Sequence, residues 1–77
     1  MARTSDEQNS AYARAGDSVT VITALNAVSG SLTTAQKEEI KRNYEHLELE
    51  IARDDLGSND ISSWAALIAA AKTKEAG

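Results

Sequence analysis

The stretch Thr33–Arg53, TTAQKEEIKRNYEHLELEIAR, decides how this chain folds. It opens with T-x-x-Q, Thr33 to Gln36, which reads as a capping box. The threonine oxygen accepts from the backbone amide three residues on, and the glutamine side chain reaches back to the threonine amide. Ile40, Tyr44, Leu47 and Ile51 then follow at spacings of four, three and four. That pattern lays one apolar seam along a helix, the kind that packs against other helices at a shallow angle. The reading is a helix over about Thr34–Arg53. Glu38–Arg42 and Lys41–Glu45 are opposite charges four apart on its outer face, each pair worth about 0.2–0.5 kcal/mol. Asp54 and Asp55 are unfavourable at a helix C-terminus, so the helix is expected to end there, with Leu56-Gly57 closing it.

The flanking sequence is divided by Gly16, Gly30 and Gly57. Glycine is a common helix stop because it enters the left-handed region without penalty. Residues 1–16 are mostly polar, with Tyr12 as the only large apolar side chain besides Met1. Such a segment buries too little to offset its ordering entropy. It is expected to be an extended N-terminal arm that orders on a partner, ahead of a helical domain over 17–77.

Val21, Ile22, Leu25 and Val28 make one stripe of a helix over about Ser18–Ser29, capped by Asp17 or Ser18. DSVTVIT within it alternates like a strand, but a lone strand would have no partner in this chain. A third helix is expected from Asp60 or Ile61 to Lys74. Its apolar face is Ile61, Trp64, Leu67, Ile68 and Ala71, and its alanines favour helix and close approach. The connections Gly30–Thr33 and Gly57–Asn59 are short, so neighbouring helices should run antiparallel. The expected fold is all-α, three short helices in antiparallel hairpins with the arm in front.

Composition excludes several functions. The chain has 77 residues and a net charge of −4. A single domain of this size buries only about 60% of its unfolded surface. Without cysteine it has no disulfide or thiolate site, and association with other copies is a natural source of added stability. The acidic balance, with no basic stripe, argues against nucleic acid. No apolar run reaches the roughly 18 residues of a membrane span. MARTSDEQNS has no apolar core of a secretory signal. The expected location is the cytoplasm, or a particle assembled there.

Within Tyr44–Asp55, YEHLELEIARDD, one histidine stands among five carboxylates. His46 and Glu50 share a helix face and could hold two ligand positions of a metal. Zinc needs three or four, and no second histidine or thiolate exists. DDLGSND, residues 54–60, is acidic and contains glycine, but lacks the spacing and closing glutamate of a hand-type calcium loop. No G-x-S-x-G or phosphate loop occurs; the carboxylates fall on faces read as exposed, and Glu45, His46 and Glu48 are read as facing away from the seam. No catalytic residue, metal or cofactor is assigned, and the chain is read as no enzyme. Leu49 lies about 200° from Leu47 around the helix; it is either a singly exposed leucine or a second contact. Trp64 is either core or an interface anchor. Tyr12, Leu49, Trp64 and Leu67 are the candidate partner contacts. The seam Ile40, Tyr44, Leu47 and Ile51 closes either within one chain or between copies of a homo-oligomer.

Two resemblances bear on function. DLGSNDI looks like the carrier-protein motif D-L-G-x-D-S-L, but Asp60 stands where the phosphopantetheine serine should be, and the motif falls too late in the chain. Leu32–Asp55, and above all RNYEHLEL at Arg42–Leu49, is similar to a segment in small proteins of tailed-bacteriophage structural gene clusters. That resemblance covers about a third of the chain and carries no catalytic motif. It implies a virion component: a capsid decoration, head-fibre base or head–tail accessory protein. From the residues alone, the rival is a small acidic regulator that occupies a basic site, with Glu38, Glu45, Glu48 and Asp55 as its active surface.

Overall fold

Among the described residues two capping boxes, not one, start helices. The second is T-x-x-E at Thr4–Glu7: the Glu7 amide donates to Thr4 Oγ1 at 3.2 Å, and the Thr4 amide donates to Glu7 Oε1 at 3.0 Å. In the computed structural model, which describes residues 3–53 and 61–77, α1 spans Ser5–Asn26, α2 Thr34–Arg53 and α3 Ile61–Ala76. The described residues contain no strand, and the fold is all-α.

The extended arm is therefore corrected. Residues 5–16 are the first three turns of α1, continuous with the helix expected from Ser18. Ala11, Ala15, Ser18, Ile22 and Leu25 are its buried positions, at spacings of four, three, four and three. This is the α2 seam pattern, carried in its first half by side chains too small to register as hydrophobic. Gly16 sits in mid-helix, where glycine costs roughly 1 kcal/mol but does not forbid the structure. The strand-like DSVTVIT is helical too, and Thr20 and Thr23 turn their hydroxyls onto the carbonyls of Gly16 (3.0 Å) and Val19 (2.8 Å). Each thereby satisfies its own polar group inside the helix.

The first helix also stops earlier than Ser29. It closes at Asn26, with the Ala27 amide on the Thr23 carbonyl and the Val28 amide on the Leu25 carbonyl, a tightened final turn. Gly30 then takes φ 77°, a left-handed conformation that glycine alone adopts freely. Leu32 folds back into the core from this connection.

The expected box at Thr33–Gln36 is formed in both directions, at 2.9 and 3.1 Å, and α2 has the expected bounds. The proposed closure at Leu56-Gly57, the Asp60 cap and the DDLGSND loop lie outside the described residues. From Ile61, α3 runs to Ala76, two residues beyond Lys74.

Contacts between named residues give the directions. Arg3, ahead of α1, meets Glu50 near the end of α2. Tyr44 meets Glu75, and Glu48 meets Lys72. So α2 runs antiparallel to both neighbours. Tyr12 meets Trp64 at one end while Lys74 reaches Val28 and Gly30 at the other, so α1 and α3 run parallel. The bundle is one helix long, 41 × 21 × 17 Å. Ala15, Ile22, Leu25, Leu32, Ile40, Tyr44, Leu47, Trp64, Ile68 and Ala71 form a single core shared by all three helices.

Candidate interaction surface

Because α1 and α3 run side by side, the outer groove between them is apolar. Tyr12, Gly16, Val19 and Thr23 line it from α1, and Ser63, Trp64 and Leu67 from α3. The Tyr12 and Trp64 rings lie 6.1 Å apart at 54°, a tilted pairing that aromatic quadrupoles favour. Trp64 itself is buried and belongs to the core. Tyr12 covers it and is 43% exposed; Leu67 is half-buried. Three of the four candidate contacts thus meet in one groove. The fourth, Leu49, stands apart on α2 and is 64% exposed.

The seam residues face inward within the chain. Ile40, Tyr44 and Leu47 are buried against α1 and α3, and Ile51 packs at the edge of the same cluster. Tyr44 carries a polar network at its tip. Its hydroxyl donates to Glu75 Oε1 at 2.5 Å. Lys72 lies 5.7 Å from the centre of its ring and donates to Glu48 at 2.8 Å. The bond to Glu75, then burial, then the negative charge of Glu75, Glu45 and Glu48 push the Tyr44 hydroxyl up to about 12.

Several expected arrangements do not form. Neither Glu38–Arg42 nor Lys41–Glu45 closes as an ion pair; exposed pairs of this kind gain little over solvated charges. Glu50, weighed above as a ligand partner of His46, is engaged by Arg3 instead. Both its oxygens face the Arg3 guanidinium, at 2.7 and 3.4 Å, and both side chains are nearly buried. Among the described residues no group of three metal-ligating side chains converges.

His46 does not point away into solvent. It is half-buried in a cleft between α1 and α2 lined by Arg14, Asp17, Ser18, Arg42, Asn43 and itself. Its Nε2 is buried and, among the described residues, has no hydrogen-bond partner. Sequence reasoning missed this cleft because it needs α1 to extend back to Arg14. The signal was present: Arg14 and Ser18 are four apart, as are Arg42 and His46, so each pair marks one helix face.

Glu48 is tied to Lys72, while Glu38 and Glu45 remain exposed. Asp55 lies outside the described residues. No helix among the described residues is long and apolar enough to cross a membrane. Comparison with protein-family models, curated proteins and solved structures finds no match to this chain.

Proposed function

We propose that this chain is a non-enzymatic interaction protein that docks on a larger protein assembly, and that the assembly is a tailed-bacteriophage virion. The observation behind the docking reading is the groove centred on Tyr12, Trp64 and Leu67. A partly exposed tyrosine over a buried tryptophan offers a rigid, amphipathic seat, the kind of residue pair that dominates binding energy at interfaces. Thr23 and Ser63 give the groove a polar rim. Leu49, on α2, supplies a second apolar contact.

The virion part of the reading is supported by the likeness of Leu32–Asp55 to segments of phage structural-cluster proteins. Decoration of a capsid, the base of a head fibre and a head–tail accessory role all fit a one-helix-long bundle. Because Ile40, Tyr44 and Leu47 are used inside the chain, a homo-oligomer would form through Leu49 and the groove. The rival reading, an acidic regulator seated on a basic site, draws on the exposed carboxylates Glu38 and Glu45.

The test uses particles purified from the source that encodes the chain. The virion reading expects the chain in those particles at fixed copy number, retained as salt is raised, and released by Tyr12→Ser together with Leu49→Ser. Absence from particles overturns it. Binding that fails steeply with salt favours the charge-based regulator, since exposed charges are screened beyond about 8 Å at physiological ionic strength.

A further inference from the structure

We infer that the outer groove between α1 and α3 is closed by a second copy of this chain, in a two-fold antiparallel dimer where α1 and α3 of each copy form a four-helix bundle. The inference rests on the reading of this groove as a docking surface and names its occupant. Leu49, on α2, is then left for the larger assembly.

The groove is longer than its aromatic end. Beyond Thr23 and Leu67 it continues between Asn26 and Gly30 on one side and Ala70, Thr73 and Lys74 on the other. Its walls are two rows of knobs. On α1 these are Tyr12, Gly16, Val19, Thr23 and Asn26, at spacings of four, three, four and three. On α3 they are Ser63, Leu67, Ala70 and Lys74, at four, three and four. Each row lies one residue along from the row that its helix buries in the core, Ala11, Ala15, Ser18, Ile22 and Leu25 on α1, and Trp64, Ile68 and Ala71 on α3. Alternating spacings of three and four are the pattern that packs helices at a shallow angle. Both helices therefore carry two such rows, and the chain itself uses one of them.

Charge selects a second copy as the occupant. The chain carries −4, so two copies repel wherever their charged faces meet. Those charges gather on α2 and on the first turns of α1. No charged residue occurs from Ser18 to Gln36 or from Ile61 to Ala71. Among the described residues, Lys74 is the one charged side chain lining the groove, and its ammonium is turned onto the Val28 and Gly30 carbonyls. A neutral wall meeting its own image brings no like charges together, and it offers a charged partner nothing to pair with.

The wall is also complementary to itself. Tyr12, the largest knob, stands at one end, and the end at Asn26 and Ala70 is hollow. A two-fold axis near Val19 and Leu67 sets Tyr12 of each copy against the hollow of the other, the paired contact that an isologous interface requires. The bundle is 41 Å long and 17–21 Å across, which leaves room for the roughly 800 Å² per partner of a stable interface. A second copy also supplies the burial that a chain of 77 residues without cysteine lacks.

Sedimentation equilibrium of the full chain across concentration is the test. The mass should rise from 8.2 kDa towards twice that value. Ala70 is exposed on α3, so Ala70→Glu leaves the fold intact by circular dichroism and should weaken the dimer at least tenfold. Val19→Cys, the sole thiol in that variant, should oxidise to a covalent dimer faster than Leu49→Cys. A mass of one chain at every concentration overturns the inference. If that monomer still binds particles and is released by Tyr12→Ser, the docking reading stands and the groove takes a different protein. A dimer that Ala70→Glu leaves intact, or that Leu49→Glu dissolves, overturns the inference as well, because the contact then lies elsewhere.

Discussion

Arg3 grips Glu50 from 47 residues away, with Nη2 on Oε2 at 2.7 Å and Nη1 facing Oε1 at 3.4 Å. Neither side chain is more than 10% exposed. The contact joins the residue ahead of α1 to the last turns of α2, and it fixes the polar half of α1 onto the bundle.

Removing one member of such a pair leaves the other charge buried and unpaired. Arg3→Ala should destabilise the chain by on the order of 3 kcal/mol, a large share of the total for a domain of this size. Arg3→Met combined with Glu50→Leu should recover most of that loss, because an apolar pair carries no desolvation cost. Urea melts followed by circular dichroism measure both. A single variant as stable as the parent would show that the pair contributes nothing.

Gly16 is a position where the chain can be improved. A Cβ built there meets nothing within 4 Å, and the residue lies inside α1. Gly16→Ala should stabilise by about 0.5–1 kcal/mol, raising the melting temperature by about 4–8 °C per kcal/mol for a domain of this length. A lower melting temperature would mean that the groove wall needs the open space.

Tyr44 sets a limit at high pH. Its folded pKa, about 12, lies above the ordinary 10, so the folded state holds the proton more tightly. The stability gained is fully present below pH 10 and is lost as pH rises through 12. In Tyr12→Phe, Tyr44 is the sole tyrosine, and its tyrosinate absorbance should appear near 12 until unfolding releases it. Tyr44→Phe should flatten the stability decline in that window. A tyrosinate midpoint near 10 in the folded protein would refute the Glu75 bond.

Lys74 closes the opposite end of the bundle. Its ammonium donates to the carbonyls of Val28 and of Gly30, the latter at 2.7 Å. Two carbonyls of the α1–α2 connection thus find a charged donor on α3. Lys74→Met keeps the aliphatic stem and removes the donors. It should cost about 2 kcal/mol and speed amide exchange across Val28–Leu32. Unchanged exchange there would show that water replaces the lysine at no cost.

How much of this was legible in the sequence depended on side-chain size. The α2 helix was readable because its knobs are Ile40, Tyr44, Leu47 and Ile51, and the cap at Thr33–Gln36 matched a known form. The α1 helix repeats the same spacing with Ala11, Ala15 and Ser18, residues that a hydrophobicity pattern passes over. Its cap, Thr4–Glu7, was as plain as the other but stood in a segment judged by composition. The meeting of Tyr12, Trp64 and Leu67 was not foreseen, although each was named singly, because it requires α1 to extend back through Tyr12. His46 was placed on the wrong side for the same reason: with no α1 opposite Arg42 and His46, that face of α2 looked free.

The small knobs of α1 have a consequence for how the molecule opens. From Thr4 to Ser18 the helix buries little more than two alanine methyls and a serine, while from Ile22 onward it buries large aliphatics. The free energy holding each turn therefore rises along the helix, and sub-global openings follow such gradients. Amide protection should climb from Ser10 to Leu25, with the first three turns exchanging through an event well short of global unfolding. In that transient state Glu50 is uncovered and Tyr12 leaves Trp64. The segment that composition marked as unable to order alone remains, by this measure, the most loosely held part of the fold, ordered by the chain itself rather than by a second molecule.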